Sequence, residues 1–294
     1  MQLTRRGFLK LARRGVLASG LAAVGGGAYM RFVEPNWLEV VHYHVRLPGA
    51  ENWPRPVRLL HLADFHALRS TPLSTIETAI ERGLAEEPDI ICVTGDFVTE
   101  QLIEPENFAA QLKRLAAAAP TYAVMGNHDG GAWSSTVGGW SSSQPMRTFV
   151  QEAGLRLLHN RGVRVDLGDD RALRLVGVGD LWSEECDVAT AFGASPPALG
   201  QPTVLLAHNP DSKEKARWAQ WQLMLSGHTH GGQLSLPVIG EPFAPVRDKR
   251  YVNGLRAWEG RWIQVTRGVG SGARARLNCR PEVSVLHIGG VTNA

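Results

Sequence analysis

Alternation of apolar and polar side chains over Leu38–Leu47 (LEVVHYHVRL) predicts a half-buried strand. After a proline-containing turn at Pro54–Pro56, VRLLHLAD is a continuous apolar run ending at Asp64, which predicts a buried strand. Pro72–Leu84 has helical spacing, with Ser70 or Thr71 available as a cap and Pro72 suited to the first helical position. DIICVTGD repeats the buried-strand pattern and ends at Asp96; a helix over Pro105–Ala118 and the strand TYAVMGNHD follow. Two strand–helix–strand units in succession imply parallel pairing with right-handed crossovers. The second half offers short strands at Val163–Leu167, Ala172–Val178, Thr203–Leu206 and Gln222–Leu225, then near Trp262–Val265 and Val283–Ile288, and reads as more antiparallel. Between the halves, Gly130–Ser143 (GGAWSSTVGGWSSS) is either a flexible surface loop or a lid over whatever the preceding turn holds.

Length fits about two domains or one large α/β domain equally well, and the pattern from Trp37 onward is that of one α/β domain. The 294 residues are 44% hydrophobic and 20% charged, which excludes disorder, collagen-like repeats and a multi-span membrane protein. Cys92, Cys186 and Cys279 are too few and too scattered for a disulfide scaffold or a thiolate zinc site, and Cys92 falls in a buried strand as inert packing. The net charge of +3 belongs to the N-terminus: residues 1–31 carry six Lys/Arg and no acid, leaving 25 bases against 28 acids elsewhere. No nucleic-acid partner is expected from that balance.

Those first residues read TRRGFLK from Thr4 to Lys10, then the apolar, glycine-rich run Gly15–Tyr29. A positive segment followed by a short apolar run is an export pattern, too short for an ordinary membrane span. The Arg5-Arg6 pair with Phe8, Leu9 and Lys10 resembles the twin-arginine signal, whose machinery exports folded proteins. Residues 1–33 are therefore expected to be a signal peptide or a retained anchor, and residues 34–290 the folded domain.

The chemistry sits at the strand ends. Asp64 and His66 follow the first buried strand, Asp96 the second, and Asn127, His128 and Asp129 the third. Spacings of 32 and 31 residues from Asp64 to Asp96 to Asn127 correspond to one strand–helix–strand unit each, so the three turns return to the same edge of the sheet. In open α/β sheets that carboxyl edge binds ligands. His208 follows another apolar run, and GHTHGG offers His228 and His230 two apart; in an extended segment both rings point the same way. Gly227, Gly231 and Gly232 permit a tight backbone path there. Two carboxylates, an amide oxygen and several imidazoles without sulfur suit Mn, Fe, Zn or Co, in a number sufficient for two ions.

D-x-H, GD, GNHD, H and GHTH in this order resemble the calcineurin-like metallophosphoesterase superfamily, over about Arg58–His287. GVGDLW and the stretch Val265–Leu286 are similar to an envelope-associated bacterial subgroup that includes twin-arginine-exported phosphodiesterases and enzymes like UDP-2,3-diacylglucosamine pyrophosphatases. The resemblance implies a four-layer α/β/β/α sandwich with the active site at the C-terminal edges of the strands. It implies that Asp64, His66 and His230 hold one divalent ion, that Asn127, His208 and His228 hold a second, and that Asp96 bridges them. A bridging anion lets two such ions sit about 3.5–4 Å apart, where a water between them becomes a nucleophile near neutral pH. The resemblance makes His128 the group that stabilises or protonates the leaving oxygen, with Asp129 fixing its tautomer. Asp180 belongs either to the site rim or to a turn.

The implied reaction is hydrolysis of a phosphodiester or pyrophosphate bond, with a phosphomonoesterase on the same metals as the alternative. An inactive binding protein would show an eroded ligand set, and this set is intact. The subgroup and the export pattern favour a lipid-linked envelope substrate on the extracytoplasmic side. Trp133, Trp140, Trp182, Trp258 and Trp262 are then either interfacial contacts or ordinary packing. Arg267, Arg274, Arg276 and Arg280 are either a site for lipid phosphate or an acid-paired face. The first block reads LADFHAL, where many relatives carry a smaller or charged residue after His66; this bears on substrate choice.

Overall fold

The computed structural model of the chain describes residues 23–67, 70–193, 198 and 200–289, with Arg6, Arg13 and Gly20 in addition. Of the paired-arginine motif only Arg6 is among these residues, and of the apolar run behind it only Gly20 and residues 23–29; the rest lies outside the described residues. Among the described residues no helix is long and apolar enough to cross a membrane.

Two six-stranded sheets face each other. In the first, β1 (Glu39–Val45), β12 (Glu282–Ile288), β2 (Val57–Leu62), β3 (Ile90–Thr94), β4 (Thr121–Val124) and β5 (Arg156–Leu157) lie side by side in that order. In the second the order is β10 (Gly254–Trp258), β11 (Arg261–Val265), β9 (Leu223–Ser226), β8 (Thr203–Leu206), β7 (Ala172–Gly177) and β6 (Arg161–Asp166). Leu59, Cys92, Val124, Leu175, Val204, Leu225 and their neighbours fill the space between the sheets. The outer face of the first sheet packs through Leu60, Val93 and Val283 onto helices α1 (Leu73–Ala85), α2 (Pro105–Ala118) and α4 (Gln144–Glu152), which flank the short α3 (Ala132–Thr136) in sequence. Helix α5 (Val188–Gly193) and the Trp221–Trp258 stack cover the outer face of the second. The result is the α/β/β/α sandwich that the motif order implied.

The strand-end logic has a direct physical basis. β2, β3 and β4 are parallel, so the turns after each emerge at one edge. Ile76, Ala79, Ile80 and Gly83 form the buried stripe of α1 at the spacing read from the sequence. The helix starts one residue later than expected, at Leu73, with Pro72 as its cap residue in extended backbone and no side-chain cap from Ser70 or Thr71.

The second half differs from its sequence reading. β7, β8, β9 and β11 run parallel to one another, and only the two edge pairings, β6 with β7 and β10 with β11, are antiparallel. The reason is the same crossover geometry: each of β7, β8 and β9 ends at the site edge and the chain must return before the next begins. β10, which no pattern announced, is an edge strand with only Trp258 buried and so lacks an apolar alternation.

Candidate metal centre

Five turns meet at one edge of the sandwich and are stitched together by backbone hydrogen bonds. The N–H of Asp64 donates to the Gly95 carbonyl at 2.9 Å and that of His66 to the Asp96 carbonyl at 3.1 Å, joining the turn after β2 to the turn after β3. Gly270 N–H donates to the Asp64 carbonyl at 2.7 Å, and Gly227 N–H to the His208 carbonyl at 3.0 Å.

Backbone strain is concentrated here. Asp64, His66, Asp96, His228 and His230 all have positive φ, between 44° and 70°. Each such non-glycine residue costs on the order of 1 kcal/mol or more and persists only when surrounding contacts dictate it. Two glycines make room for the carboxylates: a Cβ on Gly126 would stand 2.2 Å from Asp96 Oδ1, and one on Gly227 would stand 2.3 Å from Asp64 Oδ2.

All seven residues expected as ligands are brought together and are buried or nearly so. Asp64, His66, Asp96 and His230 each present a ligand atom within 4.8 Å of the others, and Asp96, His208 and His228 form a second such group. Asp96 is common to both groups, as a bridge requires. Its Oδ2 lies 3.5 Å from His66 Nε2 and 3.2 Å from His208 Nε2. Asn127 Oδ1 is 3.1 Å from His208 Nε2, and His228 Nδ1 is 3.3 Å from it. The rings of His66 and His230 are 5.0 Å apart.

Does this cluster fit metal ions on its own evidence? His66 Nε2 and His230 Nδ1 are buried ring nitrogens without a hydrogen-bond partner, a state that buried polar atoms rarely occupy without a ligand to complete them. Burial pushes the pKa of His66 and of His228 down to about 3 and that of His230 well below its usual value, so these rings are neutral and present lone pairs. Burial lifts Asp64 to about 7, and the neighbouring charge of Asp96 adds to the rise. For Asp96 burial acts in the same direction, but His208 and His128 outweigh it and hold the carboxyl well below its usual range. Burial alone would lower His208, yet Asp96 raises it to about 10. A divalent ion bound here would displace the proton that Asp96 and His208 share, freeing the His208 lone pair among rings that are already neutral.

The ligand rings are held from behind. His208 Nδ1 faces the Thr94 carbonyl at 2.7 Å and His228 Nε2 the Pro245 carbonyl at 3.0 Å, which places the proton of each on the side away from the centre. His66 Nδ1 lies 3.1 Å from Thr99 Oγ1. The path through GHTHGG is not the extended one expected: Thr229 is helical, between two left-handed histidines, and a 3-10 turn runs over His230–Gly232. Those two kinks send His228 to one group and His230 to the other.

His128 stands at the rim, half-buried. Its N–H donates to Asp96 Oδ1 at 2.9 Å, and its ring packs edge-on against His66 at 4.8 Å and Trp133 at 4.6 Å. The ring's Nδ1 faces the Thr99 carbonyl at 2.6 Å, so Nδ1 carries a proton and Nε2 is left for a ligand. This corrects the role expected for Asp129. Its carboxylate is not the hydrogen-bond partner of His128 Nδ1; it accepts the N–H groups of Gly126 and Asp96 on Oδ2, and of Phe97 and Val98 on Oδ1. Burial and Asp96 push its pKa up to about 8, while four N–H donors favour the ionised form they surround. Asp129 is a clamp between two ligand turns, and the tautomer of His128 is set by Thr99.

Several other sequence readings resolve here. Gly130–Ser143 is not a free surface loop: Gly131 N–H donates to the Trp140 carbonyl at 3.0 Å, Ser183 Oγ donates to the Gly130 carbonyl at 2.9 Å, and Trp133 lines the site. Trp182 packs edge-on against His228 at 4.3 Å and lies 5.6 Å from Trp133, so these two tryptophans wall the centre. Trp258 is core, Trp140 packs against the helix layer and Trp262 is partly exposed. Asp180 is a turn residue whose Oδ2 accepts from Ser183 N–H at 2.7 Å; its buried Oδ1 has no partner. Among the C-terminal arginines, Arg267 pairs with Glu282 and Glu39, Arg280 with Glu39, and Arg276 is fully buried and donates to the carbonyls of Arg267, Gly268, Gly270 and Cys279. Arg267 and Arg280 are thus an acid-paired face and Arg276 a buried brace for main-chain carbonyls, not an anion site, while Arg274 reaches Asn36 Oδ1 at 3.3 Å. All three cysteines are free.

Sequence reasoning missed His61. It is fully buried near the end of β2, between Gln264 Oε1 at 2.5 Å and the Oγ1 of Thr94 at 2.8 Å, the residue whose carbonyl orients His208. Nothing in an apolar run distinguishes such a histidine from packing.

Comparison with known proteins agrees with this geometry. The family model described as calcineurin-like phosphoesterase matches residues 57–232. The chain is 42% identical to phosphodiesterase YaeI of Escherichia coli (strain K12) over 97% of this chain and 99% of the relative. It is 27% identical to the uncharacterized metallophosphoesterase YkuE of Bacillus subtilis (strain 168), over 97% of each. It is 26% identical to the UDP-2,3-diacylglucosamine pyrophosphatase LpxG of Chlamydia trachomatis serovar D, over 86% of this chain and 90% of that one.

Proposed function

The chain belongs to the calcineurin-like phosphoesterase family and is a metallophosphoesterase, and from that membership we propose a dinuclear, exported phosphodiesterase acting on an envelope lipid or a UDP-2,3-diacylglucosamine-like glycolipid. The observation that carries the dinuclear reading is the sharing of Asp96 between two ligand groups. Asp64, His66 and His230 would hold one ion, Asn127, His208 and His228 the other, with Mn, Fe, Zn or Co suited to these donors. Bound there, two divalent ions supply Lewis-acid polarisation of the phosphoryl oxygens and activation of a water.

The chain's own residues do the rest. Neutral rings at His66, His228 and His230 offer lone pairs without first losing a proton. The Thr94 and Pro245 carbonyls fix the orientation of His208 and His228. In its protonated form His128 donates Nδ1–H to the Thr99 carbonyl and can pass its Nε2 proton to the departing oxygen. His66 and Trp133 hold the plane of that ring, and Trp133 with Trp182 limits the approach of bulk water from the rim.

Similarity to proteins named as a phosphodiesterase and as a UDP-2,3-diacylglucosamine pyrophosphatase favours the diester or pyrophosphate bond over the monoester. The paired-arginine leader favours export through the twin-arginine machinery and a site of action on the extracytoplasmic membrane surface, with residues 1–33 as signal or anchor and the catalytic domain over 34–290. The substrate is tested by incubating the full chain with UDP-2,3-diacylglucosamine and with phosphodiester lipids and following products by mass spectrometry. Release of UMP or of a lipid phosphate supports the reading. Turnover confined to phosphomonoesters would replace it with the monoesterase alternative.

A further inference from the structure

Three histidines lie together at the end of the molecule away from the catalytic centre. His42 and His44 are two apart on β1, so both rings leave the same face of the strand. β12 pairs with β1 in parallel register, with His44 opposite His287, which brings a third ring to that face. The place is fixed by topology. β12 runs antiparallel to β2 with His287 opposite Arg58, at the start of β2, whereas the turn holding Asp64 leaves its other end. Six residues of extended chain put the two locations about 20 Å apart.

The geometry is that of a half-built ligand set. His42 Nδ1 and His287 Nε2 point at each other across 3.1 Å. Two nitrogens each about 2.0–2.1 Å from a tetrahedral ion stand roughly 3.3 Å apart. On its other side, His42 Nε2 faces the Glu86 carboxylate at 3.7 Å, at the end of α1. A carboxylate behind a ring holds the ring proton on that side and leaves the opposite nitrogen as a lone pair, the arrangement found behind metal-bound histidines. The His44 ring stacks on His287 at 4.8 Å with the planes 16° apart, close enough for a rotamer change to add a third donor. Burial and the adjacent His44, His42 and Arg58 hold His287 below its usual pKa, so it is neutral at physiological pH. The surroundings are open, as a site loaded from solution requires: His42 is 44% exposed.

We propose that His42, His287 and His44 form a second metal site, distinct from the catalytic pair, that takes a divalent transition ion of the zinc, nickel or copper class. Imidazole donors without a carboxylate in direct contact select these ions over magnesium and calcium.

The test is zinc content. Untagged full chain and the His42→Ala/His287→Ala double variant are equilibrated with the same buffered, micromolar free zinc, separated from it, and analysed for metal per chain. Both catalytic groups are intact in the variant, so they contribute equally and cancel. The wild type is expected to hold one more zinc per chain, His44→Ala an intermediate amount, and Glu86→Gln to bind that zinc about tenfold more weakly. Hydrolysis of a phosphodiester by the double variant at wild-type rate shows that the fold and the catalytic ions are undisturbed. Equal zinc in wild type and double variant overturns the proposal and leaves the 3.1 Å contact as an N–H···N hydrogen bond between neutral rings.

Discussion

The Asp129 carboxylate accepts the backbone N–H of Asp96 at 2.9 Å on the same oxygen that accepts the N–H of Gly126 at 2.8 Å. One side chain thus sets the distance between the turn that carries the shared ligand and the turn that carries Asn127 and His128. The glycine at 126 lets Asp96 come this close. Positioning of the centre is therefore a property of backbone amides gathered around a buried anion, with the ligands riding on the turns they define.

Asp129→Asn replaces one acceptor oxygen by an NH2 group facing backbone donors and leaves at least one buried N–H without a partner, at about 1–3 kcal/mol each. The variant is expected to melt earlier with and without manganese and to bind manganese about 10–100-fold more weakly. Calorimetry of unfolding and of manganese binding checks both. A variant with unchanged stability and affinity but slow turnover would return Asp129 to the role of orienting His128.

Asp96→Asn is expected to lower the content of both metals and abolish turnover, whereas His128→Gln keeps both metals and slows turnover by about 10²–10⁴-fold. Metal analysis alongside kinetics separates them. Equal metal loss in the two variants would mean that His128 is a ligand.

Gly227→Ala puts a methyl group 2.3 Å from Asp64 Oδ2, too close for both to stay. The carboxylate must move, so the affinity of the first ligand group falls while that of the group with His208 and His228 changes less. Stepwise manganese titration should show one weakened site of two.

His61 links pH to stability. Burial pushes its folded-state pKa down to about 4, below the unfolded value near 6.5. The unfolded chain therefore takes up the proton first as pH falls. Stability is fully present above about 6.5 and is lost as pH drops toward 4, by about 2 kcal/mol between pH 7 and 5 from this one group. Denaturant unfolding in chelator at the two pH values should show a pH slope smaller by that amount in His61→Gln. An unchanged slope would show that His61 is protonated in the folded state.

The candidate ligands are legible because each ends an apolar run or sits among glycines, and because strand–helix–strand repeats return strand ends to one edge. Asp64, Asp96 and Asn127 illustrate this at spacings set by the repeating unit. The GHTHGG path differs from its sequence reading: two residues of spacing suggest an extended segment, but the left-handed backbone at His228 depends in part on its N–H donating to the Asp64 carboxylate, a contact distant in sequence. Thr99 and Thr94 orient His128 and His208 through their main-chain carbonyls, contacts that carry no side-chain signature. The parallel core of the second sheet was hidden for a similar reason: β8 and β9 are four residues each, and their partners are decided by where the chain returns. The arginines near the C-terminus could be read as an anion site or as an acid-paired face, and only the placement of Glu39 and Glu282 beside Arg267 and Arg280 decides for the second.

The most direct test of the account is hydrolysis of bis-p-nitrophenyl phosphate against p-nitrophenyl phosphate, by the manganese-loaded chain and after chelation. Metal-dependent cleavage of the diester in preference to the monoester, with two metals per chain, is the expected result. Preference for the monoester, or diester cleavage that survives complete removal of metal, would contradict it.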